Sequence, residues 1–217
     1  VIKIVNMKPK SYFYISGSMC IAFLSIVVIL RFNQVVNLDK RLGESLYQFA
    51  SMDTFFIIIS DIGSRIFFYP ALIVISILLA VRKKWLIIIL LWVNLLGVRL
   101  MNTWLKAIFV RERPTLEHVV EASYYSFPSG HSMNSIAFFG LLAILSFIYV
   151  KRKWLSYAFI LLFSILILLI GISRIYLGVH FPLDVLAGFF AGLTWLFFIS
   201  ALWAVYLKKE FLAIDKG

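Results

Sequence analysis

Acidic residues are scarce in this sequence: ten Asp and Glu stand against 21 Lys and Arg in 217 residues, a formal net charge of +11. The single cysteine, Cys20, excludes an intrachain disulfide and says little about redox compartment. HExxH, CxxC and dense carboxylate clusters are all missing. These are the patterns that hold zinc and other catalytic metals, so no metal and no cofactor is expected. There is no internal repeat, low-complexity stretch or Pro/Gly/Ser linker, and the length suits one domain, 1–217. Polar residues as a whole are few. Hydrophobic residues make up 63% of the chain, aromatic residues 17%, and mean hydropathy is +0.99. A soluble domain is nearer half apolar, so a bilayer must cover the excess. A basic chain can also bind nucleic acid. Here the charges sit between apolar runs, which favours a membrane and no nucleic-acid partner.

The apolar runs predict an all-α polytopic membrane protein. A spanning helix needs about 20 mostly apolar residues. The candidates are 12–30, 65–81, 85–105, 131–149, 154–172 and 185–207, of which the second is short. The run 12–30 reads as an anchor helix rather than a cleaved signal, because Arg31-Phe32-Asn33 offers no small-residue cleavage site. Residues 46–60 hold Asp53 and are too short to span comfortably, so they read as an interfacial or re-entrant helix. The expectation is a bundle of six transmembrane helices with a short interfacial helix between helices 1 and 2.

With six spans the loops alternate sides. One side collects 12 of the 21 basic residues with only Glu210 and Asp215, a net of +10, while the rest of the chain nets +1. The positive-inside rule puts that side, and both termini, in the cytoplasm of a cell membrane protein.

Three polar clusters fall on the opposite side: KAIFVRERP (106–114), FPSGH (127–131) and SRIYLGVHFPLD (173–184). Lys106 and Arg113 are seven residues apart and share a face if the third helix continues through them, with Arg99 and Asn102 on that face below. Arg offers a planar fork to two phosphate oxygens and Lys a mobile point charge. Taken alone, these cations serve equally well to snorkel to lipid headgroups. Ser129 is a candidate N-cap, Gly130 permits close backbone approach, and His131 stands where it can hand over a proton. A plain helix cap explains that cluster by itself. In the third cluster, Arg174 follows the fifth helix, and His180 and Asp184 have i, i+4 spacing. A carboxylate on one ring nitrogen fixes the tautomer and leaves the other free to attack. A structural His–Asp pair at a helix end is the plainer alternative. Together the clusters supply three cations, an anion-binding turn and two histidines on one side, which suits holding and attacking a phosphate.

The ordered set resembles the phosphatidic acid phosphatase type 2 superfamily, which spans bacterial membrane lipid phosphatases and vanadium haloperoxidases. Its pattern, K-x6-RP, PSGH and SR-x5-H-x3-D, reads here as Lys106 with Arg113-Pro114, Pro128 to His131, and Ser173-Arg174 with His180 and Asp184. No element is substituted. The resemblance implies a phosphohistidine on His180, with Asp184 orienting it and His131 as general acid. It further implies phosphate binding by Lys106, Arg113, Arg174, Ser129 and Gly130. The implied substrate is a lipid phosphate or pyrophosphate, such as phosphatidylglycerophosphate, phosphatidic acid or a polyprenyl pyrophosphate. A lipid phosphotransferase and a non-catalytic receptor or transporter are the rival readings. Gly188 and Gly192 suggest close packing within the bundle rather than a dimer face. The oligomeric state stays open.

Overall fold

The computed structural model describes residues 9–47, 52–116, 118–120 and 125–214, the last eight of these by backbone alone. The described residues form helices α1 (Pro9–Ile29), α2 (Asn33–Tyr47), α3 (Asp53–Ile62), α4 (Arg65–Val81), α5 (Trp85–Phe109), α6 (Gly130–Tyr149), α7 (Lys153–Tyr176) and α8 (Pro182–Ile214). No strand forms among them. Helices α1, α5, α6, α7 and α8 are each long and apolar enough to cross a membrane. The pair α3–α4 meets the same test jointly, bent by 45° at its break. With the bent pair taken as one span, the bundle has six, as the hydropathy pattern predicts.

The boundaries around the second span differ from the expectation. The helix between the first and second spans is α2, at 33–47 rather than 46–60. Most of the second half of 46–60 belongs to α3, the first part of the bent crossing, and residues 48–51 lie outside the described set. Two local features explain the shift. Asp53 accepts a hydrogen bond from the Tyr176 hydroxyl at 2.9 Å, so its carboxylate has a partner at the rim. At Gly63–Ser64 the chain turns, and the Ser64 hydroxyl accepts from Ile66 N–H at 3.2 Å to cap α4. A side chain at Gly63 would run into Ile170, so only glycine lets α3 sit this close to α7.

Helix α2 has distinct faces. Asp39 and Gly43 are buried against the protein, while Leu38, Leu42 and Leu46 form an exposed stripe at i, i+4 spacing. It rests on α7 and α8.

The core lies between α4, α5, α6 and α8. Phe68, Leu72, Leu95, Val98, Met133 and Ala187 are fully buried there. Helices α6 and α8 approach closely because a Cβ at Gly188 would lie 2.8 Å from Ser132 Cβ, and one at Gly192 2.9 Å from Ile136 Cβ. The small-residue pair thus faces a neighbour in the same chain. Asn94 reinforces the middle of the bundle, its side-chain amide donating to Ala137 O at 2.7 Å and its main-chain carbonyl accepting from Trp195 Nε1 at 2.9 Å. Large apolar side chains such as Ile66, Leu78, Trp104, Ile108 and Leu161 point outward, as lipid-facing residues do.

Antiparallel packing brings the end of α5, the start of α6, the end of α7 and the start of α8 to one end of the bundle. All three polar clusters meet there. Gly192→Leu is expected to cost about 1–3 kcal/mol through overpacking against Ile136. Gly17→Ala, at an exposed helical position with nothing within 4 Å, serves as the control without overpacking and should be neutral to stabilising, by at most about 1 kcal/mol. Thermal unfolding in detergent checks both.

Candidate active site

Helix α8 begins at Pro182, a residue suited to a first helical turn. This places Asp184 in that turn and His180 in the short connection just before it. Asp184 has no exposed surface. Its Oδ2 accepts from Phe181 N–H at 2.9 Å and from the Ser126 hydroxyl, and it lies 3.5 Å from His180 Nδ1. The Ser126 hydroxyl also sits 3.3 Å from Nδ1. The i, i+4 pair therefore meets without a regular helix between its members.

The other ring nitrogen, His180 Nε2, lies 3.4 Å from Arg113 Nη1. A guanidinium only donates, so Nε2 is the acceptor and Nδ1 carries the proton toward Asp184 and Ser126. The lone pair on Nε2 thus faces Arg113. His180 is buried, and that burial, followed by the charges of Arg113, Lys106 and Arg174, holds its imidazole well below the ordinary histidine range.

Lys106 and Arg113 converge, but not along one helix face. Helix α5 ends at Phe109, and Val110 takes a left-handed conformation with φ of 48°. The chain reverses there, which the shared-face expectation did not foresee, and Arg113 returns from the following loop. Lys106 Nζ donates to Tyr125 O and to Ser126 O at 3.3 Å, and Arg113 Nη1 donates to Val179 O at 2.6 Å. Asn102 supports the next cluster by donating to Pro128 O at 3.1 Å. Arg99 stacks over the Tyr69 ring, 5.2 Å from its centroid, and has no contact with the clusters among the described residues.

Ser129 is the N-cap of α6, as its sequence position suggests. It is fully buried, and its hydroxyl oxygen accepts from Ser132 N–H at 3.4 Å and from Ser132 Oγ at 3.0 Å. Ser129 N–H donates to Asp184 O at 2.9 Å, which joins the second cluster to the third. Gly130 has Asn102 Oδ1 only 2.8 Å from where a Cβ would lie. His131 is half-buried in the first turn of α6, within electrostatic reach of Arg174, His180, Arg113 and Lys106. Arg174 lies in the last turn of α7 rather than beyond it. It donates to the Ser60 hydroxyl, and its Nε is buried without a partner among the described residues.

Four participants escaped the sequence reading. Arg111 donates from Nη1 to Asp184 Oδ1 at 2.6 Å and from Nη2 to Asp39 Oδ2 at 2.7 Å, and its guanidinium lies 4.4 Å from the Phe181 ring centroid. Asp39, on α2, also accepts Leu183 N–H at 2.9 Å. Burial raises its carboxyl above the ordinary value, against the pull of Arg111 and that N–H. Ser126 and Ser60 complete the set. The available signal for Arg111 was a further cation inside the first cluster. For Asp39 it was an acid within an amphipathic repeat.

A cavity of about 420 Å³ opens onto these groups, lined by Arg111, Arg113 and His180 and, from α2, by Lys40, Gly43 and Glu44. Among the described residues no three His, Cys, Asp or Glu side chains gather as a metal site.

The chain is 32% identical over 192 residues to phosphatidylglycerophosphatase B of Bacillus subtilis (strain 168), covering 84% of this chain and 92% of that protein. It is 40% identical over 76 residues to an undecaprenyl-diphosphatase of Sulfolobus acidocaldarius, covering 35% and 32% of the two chains. The crystal structure of a transmembrane PAP2 type phosphatidylglycerolphosphate phosphatase from Bacillus subtilis superposes with a TM-score of 0.82 at 28% identity, over 87% of this chain and 96% of that one. A model of the PAP2 superfamily matches residues 84–208, which hold all three clusters and more than half of the sequence, and the chain belongs to that superfamily.

Proposed function

We propose that this membrane lipid phosphatase works through a phosphohistidine on His180, with a lipid phosphate monoester or pyrophosphate as substrate. One observation carries the reading. His180 has Nδ1 turned to a buried carboxylate and Nε2 turned to an arginine beside an open cavity. In the proposed reaction Nε2 attacks phosphorus and the bond to the leaving oxygen breaks. His131 gives that oxygen a proton, then takes one from the water that cleaves the phosphohistidine. Asp184 accepts the Nδ1 proton in a hydrogen bond and balances the imidazolium charge as it develops.

Lys106, Arg113 and Arg174 neutralise the phosphate oxygens. The unpartnered Arg174 Nε supports this, since a buried donor without an acceptor calls for one. The Ser129 cap is spent on Ser132, so the N–H groups of Gly130 and His131 are those offered to the anion. A binding protein has no need of a nucleophile with an oriented tautomer and a second histidine, which counts against the receptor reading. Among lipids, phosphatidylglycerophosphate is the first to test, because the relative that spans nearly the whole chain is a phosphatidylglycerophosphatase. The charge distribution supports cytoplasmic termini and a site on the extracytoplasmic side of the plasma membrane.

Purified protein in detergent with excess EDTA should release phosphate from phosphatidylglycerophosphate, and His180→Ala should lower the rate by about 10³-fold or more. Near-normal release by His180→Ala would refute the mechanism. The neutral imidazole is the nucleophile, so lowering its pKa extends activity toward acid. The acidic limb of kcat/KM is expected below pH 6.5, the ordinary histidine value. For the orientation, Thr115 is exposed at the cavity rim. In a Cys20→Ser background, Thr115→Cys should react with an impermeant maleimide in intact cells. Labelling only after lysis would reverse the topology.

A further inference from the structure

We infer that Arg111 and Asp39 are positioning residues for the catalytic pair, joining α2 to the Asp184–His180 dyad through one guanidinium. The inference rests on the phosphohistidine reading and adds to it a bridge that sets the charge behind the nucleophile.

The geometry is specific. The Arg111 fork splits, one nitrogen to Asp184 Oδ1 at 2.6 Å and the other to Asp39 Oδ2 at 2.7 Å, with both carboxylates buried. Asp184 Oδ2 is turned the other way, to Ser126, Phe181 N–H and His180. Arg111 therefore fixes the carboxylate from the side opposite the histidine, and rotating Asp184 about its own axis would break both sets. Asp39 holds Arg111 in turn and binds the start of α8 through Leu183 N–H. Phe181 covers the guanidinium, 4.4 Å away, so the bridge is shielded on that face. Two carboxylates share one cation, which leaves a net negative charge behind His180. That charge favours a proton on the imidazole, while the cations in front oppose it.

Opposite changes to the bridge should therefore move the acidic limb of the pH–rate profile in opposite directions. Arg111→Gln removes a positive charge next to Asp184, so His180 keeps its proton to higher pH and the limb rises, by roughly one pH unit. Asp39→Asn removes a negative charge, leaves the guanidinium to Asp184 alone, and moves the limb down by less, because Asp39 is farther from the ring. The other charged groups around His180 stay in place in both variants. These are Lys106, Arg113, His131 and Arg174 on the phosphate side, and Lys40, Glu44 and Glu112 across the cavity.

The test measures kcat and KM against pH for wild type, Arg111→Gln, Arg111→Lys and Asp39→Asn, with phosphatidylglycerophosphate in mixed micelles. Thermal unfolding of each variant is measured alongside. Arg111→Gln should lose about 10- to 100-fold in kcat with KM little changed, as expected when a reacting group is misplaced without loss of binding. Arg111→Lys, which keeps the charge but can hold only one carboxylate well, should recover part of that loss and return the limb toward wild type. Should Arg111→Gln fail to fold, the downward shift in Asp39→Asn, with a kcat in Arg111→Lys below wild type and a limb close to it, decides the matter. Limbs that coincide with wild type, or that move the same way in Arg111→Gln and Asp39→Asn, would overturn the inference while leaving the phosphatase reading intact. A wild type inactive on phosphatidylglycerophosphate, phosphatidic acid and a polyprenyl pyrophosphate alike would instead remove the hydrolase reading and this inference with it.

Discussion

Asp184 is an ion with no exposed surface at the end of an apolar bundle, and the rest of the site is organised around that fact. Leaving a buried charge without its partner costs about 3–5 kcal/mol, so the fold must supply partners from wherever they can be reached. Four groups answer: Arg111 and Ser126 from the long connection between α5 and α6, Phe181 N–H from the entry to α8, and His180 just before it. The carboxylate thereby ties the α5–α6 connection to α8 in a way that apolar packing alone would not specify. Its backbone adds another tie, because Asp184 O receives Ser129 N–H and so fixes the cap of α6.

The glycine contacts serve the same end by a different means. Gly188 lets α8 sit against Ser129 O, 2.7 Å from where its Cβ would be, so the helix carrying Asp184 and the helix carrying His131 share a seam next to the chemistry. His131 is thus held on α6, and His180 in the short connection that leads into α8. Lys106 and Arg174 come from the last turns of α5 and α7, and Arg111 and Arg113 from the connection between α5 and α6.

Much of this was legible in the sequence, and the exceptions have physical causes. Apolar runs longer than about 17 residues announced the spans, because a bilayer imposes a length that few other environments impose. The bent crossing was misdivided because its break, Gly63–Ser64, and its polar residues Asp53 and Ser60 lower the hydropathy of a segment whose partners, Tyr176 and Arg174, lie more than 100 residues away. The motif spacing singled out Lys106, Arg113, Ser129, Gly130, His131, Arg174, His180 and Asp184, which the fold brings to one end of the bundle. It could not show how Lys106 and Arg113 meet, since the reversal depends on a left-handed valine that no propensity argument would select. Arg111, Asp39, Ser126 and Ser60 carry no pattern of their own. They are recognisable only as partners, and partnership across 72 residues, as between Asp39 and Arg111, is a property of the folded chain.

The opening turn of α8 shows what this arrangement rules out. A helix start ordinarily presents free N–H groups to an anion. Here Phe181 N–H goes to Asp184 Oδ2, Pro182 has none, Leu183 N–H goes to Asp39 Oδ1, and the N–H groups of Asp184 and Val185 both return to Phe181 O. Every donor in that turn is consumed by the protein's own oxygens. The positive end of the α8 dipole therefore acts on two resident aspartates and is withheld from any incoming anion. Of the starts of α6 and α8, the second is a plug already filled by the chain's own acids, and the first is the one that the proposed function leaves to a ligand.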